Sequence, residues 1–292
     1  MASPTPEWIE EIRSRMRHPV ASFFDIDGTC SKRQFLLEFE VLIGEMFPER
    51  RPMVQVVHDA LATYTNERTY DYGPVIKAAV DIVPEFFRGL WIDDALAAAR
   101  SVVARYGHMT YLFPRLLLSA LQTLPIEERG PIIAISAGPD FIAEIFCRLH
   151  GFDLVYSTPY ESKDGFFTGL RDDRTIHHKG EVVDEIKETF GLDMSRCIGL
   201  GDTVSDLSMF MRVGHPFGMN PKGKLLKWIR EHPQAVWVSD SQATGVTLFQ
   251  AQTDDRAPLG GLVVHAGRFV ETTLQEALPS HIPTFDLPGS HP

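Results

Sequence analysis

The stretch Phe23-Phe24-Asp25-Ile26-Asp27-Gly28-Thr29 constrains the fold more than any other, because it sets two carboxylates at the mouth of an apolar strand. Ala21 to Phe24 ends a short apolar run that Gly28 closes, and residues two apart on a strand or its extension project to the same side. Asp25 and Asp27 are therefore expected to face one site. In a parallel sheet the ligand crevice lies at the carboxyl ends of the strands, where both acids fall. The tetrapeptide alone also fits an Asp-x-Asp-Gly turn with solvated carboxylates. The partners met later in the chain decide between the two.

Those partners sit at the ends of further short strands. Pro131-Ile132-Ile133-Ala134-Ile135 is a continuous apolar run of the kind buried on both faces of a parallel sheet, and it opens into Ser136-Ala137-Gly138-Pro139 ahead of a helix over 140–150. A third strand is expected over 153–157, then a hairpin turn at Lys163-Asp164-Gly165-Phe166. One helix is expected over 175–190, with Lys179 near its start. Cys197-Ile198-Gly199-Leu200 runs into a second acidic loop, Gly201-Asp202-Thr203-Val204-Ser205-Asp206, and a fifth strand is expected near 216–219.

This alternation of strands and helices is the signature of an α/β doubly wound parallel sheet, Rossmann-like in architecture. Residues 33–124 show helical periodicity throughout, punctuated by Pro48, Pro52, Pro74, Pro84 and Pro114, and read as an inserted all-helical cap domain. The expected organisation is a discontinuous core over 1–32 and 125–238, the cap over 33–124, and a C-terminal extension over 239–292 with no order assigned. That extension, from Ser239 onward, carries Gly260-Gly261-Leu262-Val263-Val264 and a Pro-rich end, and is open to reading as a hairpin, an oligomer contact or a partly ordered tail. Phe35, Phe39, Phe86, Phe87 and Trp91 in the cap are expected in its core rather than around a ligand.

Composition narrows the function. A net charge of −11 argues against nucleic acid as the main partner, since phosphate neutralisation needs clustered Lys and Arg. Cys30, Cys147 and Cys197 are odd in number and widely spaced, which fits a reducing cytoplasm better than a disulfide framework or a Cys-x-x-Cys metal site. No basic-then-apolar leader opens the sequence. The most apolar stretch, Tyr111 to Leu124, is broken by Pro114 and Arg115, so no membrane span is expected.

The strand ends then bring together Asp25, Asp27, Ser136, Asp202 and Asp206. Carboxylates converging in this way repel one another unless a cation sits among them, and hard oxygen ligands suit Mg²⁺. Lys179 can act as a point charge on a bound phosphate, while the Ser136 hydroxyl and the amides that follow, from Ala137 on, can cradle phosphate oxygens. Asp25, already ionised, can attack phosphorus to give an aspartyl-phosphate. Asp27 can protonate the leaving oxygen and then deprotonate the hydrolytic water.

Together, Asp25-Ile26-Asp27-Gly28-Thr29, Ser136, Lys179 and Gly201-Asp202-Thr203-Val204-Ser205-Asp206 resemble the four signature motifs of the haloacid dehalogenase superfamily, in order and spacing. Residues 135–142 and 213–221 resemble its phosphoserine phosphatase-like branch. The resemblance implies Asp25 as nucleophile, Asp27 as acid/base, and Mg²⁺ on the Asp25 side chain, the Asp27 carbonyl and Asp202. It also implies that Ser136 and Lys179 hold the phosphoryl group, that Asp206 steadies Lys179 or the metal's water shell, and that Thr29 and Ser205 support the site. Gln34 stands where phosphoserine phosphatases carry a substrate-reading glutamate, and Ser205 where they carry asparagine, which argues against phosphoserine as substrate. The expected activity is Mg²⁺-dependent hydrolysis of a small phosphate monoester. A phosphotransferase or phosphomutase using the same intermediate, and a non-catalytic binding protein of the same fold, remain the alternatives.

Overall fold

The computed structural model describes residues 5–67, 73–241 and 245–250. The chain opens with α1 (Pro6–Arg15), capped by the Thr5 side chain, and enters the sheet at β1 (Ser22–Phe24). Four helices follow, α2 (Phe35–Met46), α3 (Arg51–Glu67), α4 (Gly73–Phe87) and α5 (Ile92–Tyr106), then α6 (Leu112–Thr123) and the single turn α7 (Ile126–Arg129). The chain returns through β2 (Ile132–Pro139), α8 (Asp140–His150) and β3 (Leu154–Thr158), and makes a hairpin from β4 (Tyr160–Lys163) and β5 (Phe166–Arg171). It continues through α9 (Arg174–His177), α10 (Lys179–Phe190), β6 (Ile198–Gly201), α11 (Leu207–Phe210), β7 (His215–Met219), α12 (Gly223–Glu231), β8 (Val236–Ser241) and β9 (Gly245–Gln250).

Among the described residues the main sheet runs β3-β2-β1-β6-β7-β8-β9, parallel except for β9. From β1 the chain builds outward through β2 and β3, then crosses to β6 and builds the other way. The crevice beside β1 is thus the point where the winding reverses, the place where open α/β sheets bind ligands. Register makes the rim level there, since Phe24 pairs with both Ala134 and Leu200. The next residues outward bring Asp25, Ser136 and Asp202 to one edge.

Strand alternation explains how both faces are covered. Phe24, Ile132, Ala134, Ile198, Leu200 and Phe217 pack with cap and α8 residues, whereas Phe23, Ile133, Ile135 and Cys197 pack under α1, α10 and α12. Phe35, Phe39, Phe86 and Phe87 join the first of these cores, as expected, but Trp91 is exposed and stacks on Phe166 of the hairpin.

Three local expectations change. The helix read over 175–190 is broken at His178, whose backbone leaves helical geometry, because Thr175 is anchored to Thr158 while Lys179 is anchored between Asp25 and Asp206. Helix α6, read as the end of the cap, lies on the sheet: the Phe113 amide donates to Asp240 and its ring packs on Phe217. Residues 239–241 and 245–250 continue the sheet, pairing as β8 and β9; the stretch 260–264 lies outside the described residues.

Candidate active site

Asp25 leaves β1 with its amide bonded to the Leu200 carbonyl, which points its side chain into the crevice between β1 and β6. There Lys179 Nζ donates to its Oδ1 at 2.6 Å and Thr29 Oγ1 to its Oδ2 at 2.8 Å. Burial pushes the Asp25 carboxyl up to about 6 against the pull of Lys179, with the Asp206 charge adding to the rise. Thr29 also lies 3.0 Å from Asp202 Oδ1, so one hydroxyl proton faces two carboxylates. Asp202 is held well above the usual carboxylate range by burial and by the charges of Asp25 and Asp206. The loop between them must be glycine at residue 28: φ is +85°, and a Cβ there would stand 2.4 Å from Asp202 Oδ2.

Lys179 is 2% exposed and also donates to Asp206 Oδ1 at 2.7 Å. Burial would lower its pKa, but the two carboxylates outweigh that and raise it, so the ammonium stays charged. Asp206 itself is satisfied from its other oxygen by the amides of Asp202 and Thr203 and by the Thr203 hydroxyl. Single ligand oxygens of Asp25, Asp202 and Asp206 lie within 4.8 Å of one another. With Asp206 engaged by Lys179 and two amides, Asp25 and Asp202 carry the charge that one lysine does not balance, a donor set that fits a small hard cation.

Asp27 stands apart from this cluster. Its Oδ1 accepts from the Phe35 amide at 2.8 Å, which ties the acid to the start of α2. Burial raises its carboxyl to about 7, opposed by that amide and reinforced by the charge on Asp25. Across the crevice Ser136 is buried and its Oγ accepts from the Gly138 amide at 3.0 Å. A Cβ on Gly138 would lie 3.3 Å from Asp27 Oδ2, so the acid and the loop are neighbours. Ala137 is exposed at the loop tip.

Of the residues named from sequence, Asp25, Asp202, Asp206, Lys179 and Thr29 form one connected network, and Asp27, Ser136 and Ala137 line its other side. Ser205 does not join them: its hydroxyl pairs with Thr203 at 2.7 Å on the exposed side of the loop. Thr203 and Thr158 were not foreseen. Thr158 ends β3 opposite Pro139 and bonds the Ala137 carbonyl; a hydroxyl at the carboxyl end of a parallel strand is the signal that would have found it. No helix among the described residues is long and apolar enough to cross a membrane.

A model of the haloacid dehalogenase-like hydrolases matches residues 22–211. The chain is 32% identical over 113 residues to a putative hydrolase of Mycobacterium leprae, 38% of each chain being covered. To a phosphoserine phosphatase of Mycobacterium tuberculosis it is 31% identical over 113 residues, 38% of this chain and 37% of that one. To the phosphoserine phosphatase of Methanocaldococcus jannaschii it is 27% identical over 92 residues, 30% and 44% respectively. The matches thus span less than half of each of these relatives. Solved structures agree at the level of fold. A phosphoserine phosphatase captured as a phospho-aspartyl intermediate analogue superposes with TM-score 0.51 at 17% identity, over 72% of this chain and 90% of the other. A Bordetella pertussis protein of unknown function gives 0.57 at 15% identity, over 73% and 96%. Since the family model covers more than half of the chain, this protein belongs to the haloacid dehalogenase-like hydrolases.

Proposed function

We propose that the protein is a Mg²⁺-dependent phosphatase that hydrolyses a small phosphate monoester through an aspartyl-phosphate on Asp25. The observation that carries the reading is the different treatment of two carboxyls two residues apart. Burial raises both carboxyls, Asp25 to about 6 and Asp27 to about 7, but their partners differ: Asp25 is ion-paired to Lys179 at 2.6 Å, whereas among the described residues Asp27 accepts from the Phe35 amide and faces the Ser136 loop. One carboxyl is suited to attack, the other to proton transfer near neutral pH.

Asp25 and Asp202, with the Asp27 carbonyl that the family resemblance adds, would hold Mg²⁺, which would supply charge neutralisation beside the incoming phosphate. Lys179 orients Asp25. As the bond from Asp25 oxygen to phosphorus forms, the bond to the leaving oxygen breaks and Asp27 gives that oxygen its proton. Asp27 then takes a proton from water, whose oxygen attacks phosphorus and releases phosphate with Asp25 restored. The Ser136 hydroxyl and the Ala137 amide hold the non-bridging oxygens, while the Gly138 amide is taken by Ser136 Oγ. Gln34 and Ser205 keep phosphoserine outside the proposal, and the three buried free thiols fit a reducing compartment.

The test is single-turnover release of the leaving group by Asp27→Asn, with Mg²⁺, from matched aryl and alkyl phosphates. A positioned acid contributes about 10²- to 10⁴-fold, and a good leaving group needs it less, so the alkyl ester should slow more. Equal slowing of both, or slowing of neither, removes Asp27 from the role of acid.

A further inference from the structure

The Ser136 loop is held from behind by two hydroxyls at the feet that flank the β4–β5 hairpin, Thr158 at the end of β3 and Thr175 on α9. Thr158 Oγ1 donates to the Ala137 carbonyl at 2.9 Å and lies 2.8 Å from Thr175 Oγ1. A hydroxyl has one proton, and Thr158 directs its own to the carbonyl, so Thr175 is the donor to Thr158. Thr158 is 0% exposed and Thr175 5%, so both hydroxyls lie in the interior. The carbonyl of Ala137 and the amide of Gly138 belong to one planar peptide unit and point in opposite directions. That amide donates to Ser136 Oγ at 3.0 Å. A continuous chain therefore runs from the Thr175 hydroxyl to the Thr158 hydroxyl, through the Ala137–Gly138 peptide, to the Ser136 hydroxyl.

We infer that Thr158 is a positioning residue for the phosphate-binding hydroxyl of Ser136, an inference that rests on the proposed phosphatase reading. Holding the carbonyl turns the Gly138 amide onto Ser136 Oγ. That oxygen is then occupied as an acceptor, and its proton is left to donate outward to a phosphoryl oxygen. Hydrogen bonds arranged head to tail polarise one another, so each hydroxyl upstream strengthens the donor at the end.

The same feet connect the loop to the cap. The hairpin is sewn to the α4–α5 junction by Gly89 N to Phe167 O at 2.9 Å, Phe167 N to Leu90 O at 3.0 Å and Ile92 N to Gly165 O at 3.0 Å. At residue 169, φ is +88° and a Cβ would stand 2.2 Å from the Pro84 carbonyl, so hairpin and α4 touch backbone to backbone. Thr158 and Thr175 therefore flank a hairpin that touches the cap directly.

The experiment compares Thr158→Val, which keeps the shape and removes the hydroxyl, with Thr158→Ser, which restores it. Two readouts are taken on the full chain: hydrogen exchange of the Gly138 amide, which needs no ligand, and the affinity for inorganic phosphate with Mg²⁺. One neutral hydrogen bond corresponds to about a three- to tenfold change, so Thr158→Val should speed Gly138 exchange and weaken phosphate by about that factor, with Thr158→Ser returning both. Thr175→Val should act in the same direction but more weakly, and it carries the test if Thr158→Val does not fold. Unchanged Gly138 exchange in the folded valine variants overturns the chain of bonds. Faster exchange with unchanged phosphate affinity overturns the role assigned to Thr158. If wild type binds no phosphate although Gly138 responds as expected, the bonds stand, while the phosphatase reading fails and takes that role with it.

Discussion

Asp206 and Glu40 are both completely buried carboxylic acids, one at the rim of the sheet and one in the interior of the cap. Asp206 receives Lys179, two backbone amides and the Thr203 hydroxyl. Glu40, on α2, has no hydrogen-bond partner for either oxygen among the described residues, and burial alone pushes its carboxyl well above the usual range. The contrast teaches what the rim is built for. Buried Asp206 is compensated there because a lysine and oriented amides replace water, whereas in the cap burial without such donors favours the protonated acid.

The comparison can be broken first at its catalytic end. Asp25→Asn keeps the shape of the rim but removes the attacking charge. Turnover of an aryl phosphate with Mg²⁺ should fall by about three orders of magnitude or more, some 4 kcal/mol of barrier. Retention of more than about a tenth of the wild-type rate would correspond to under roughly 1.4 kcal/mol, too little for a lost nucleophile.

Removing the cation should come next in size. Lys179→Met leaves Asp25 and Asp206 facing each other uncompensated, and denaturant unfolding should show a loss of about 3–5 kcal/mol, the usual result of halving a buried ion pair. Adding Asp206→Asn to that variant should recover part of the loss. A single-variant loss below about 1 kcal/mol would mean that the rim is solvated and that its likeness to the Glu40 site is superficial.

Glu40 sharpens the comparison from the other side. Replacing it with methionine should stabilise the protein at pH 7 by about 1–3 kcal/mol, the range for a buried polar group without a partner. The sign with pH follows from proton binding. Native Glu40 keeps its proton above the pH at which the unfolded chain releases it, so in that window the native state binds more protons and wild-type stability falls as pH rises. Melting curves should accordingly show the advantage of Glu40→Met shrinking as pH falls toward the ordinary glutamate range. A destabilised variant would show that Glu40 has a favourable partner in solution.

The smallest effect is expected at Ser205. Its hydroxyl meets Thr203 on the exposed side of the loop, so Ser205→Ala should change stability by no more than about 0.5 kcal/mol and leave turnover unaltered. A drop in kcat would bring Ser205 into the site.

Much of the fold is legible in the sequence, because short apolar runs ending in small or acidic residues are a local pattern. Ser22–Phe24, Ile132–Ile135, Ile198–Leu200 and Pro216–Met219 all lie in parallel strands. Trp91 failed as a core residue because an aromatic at a helix entrance can be covered or exposed, and the hairpin that meets it lies some 75 residues on in the sequence. The place of α6 on the sheet was hidden for the same reason, as its anchors, Asp240 and Phe217, lie far along the chain.

What the chain's order of residues determined by itself was chemistry at strand ends: two acids at 25 and 27, a hydroxyl at 136, a lysine at 179 and acids at 202 and 206, each placed by a period or a turn within a few neighbours. Only the tertiary structure decided how that chemistry is shared out. Thr29 between Asp25 and Asp202, Lys179 between Asp25 and Asp206, Thr158 behind Ala137 and Glu40 with no hydrogen-bond partner among the described residues are all outcomes of packing between distant segments. A carboxyl's charge depends on the dipoles and ions within a few ångströms of it. Those neighbours are set by strand register and helix packing, which local sequence patterns do not encode.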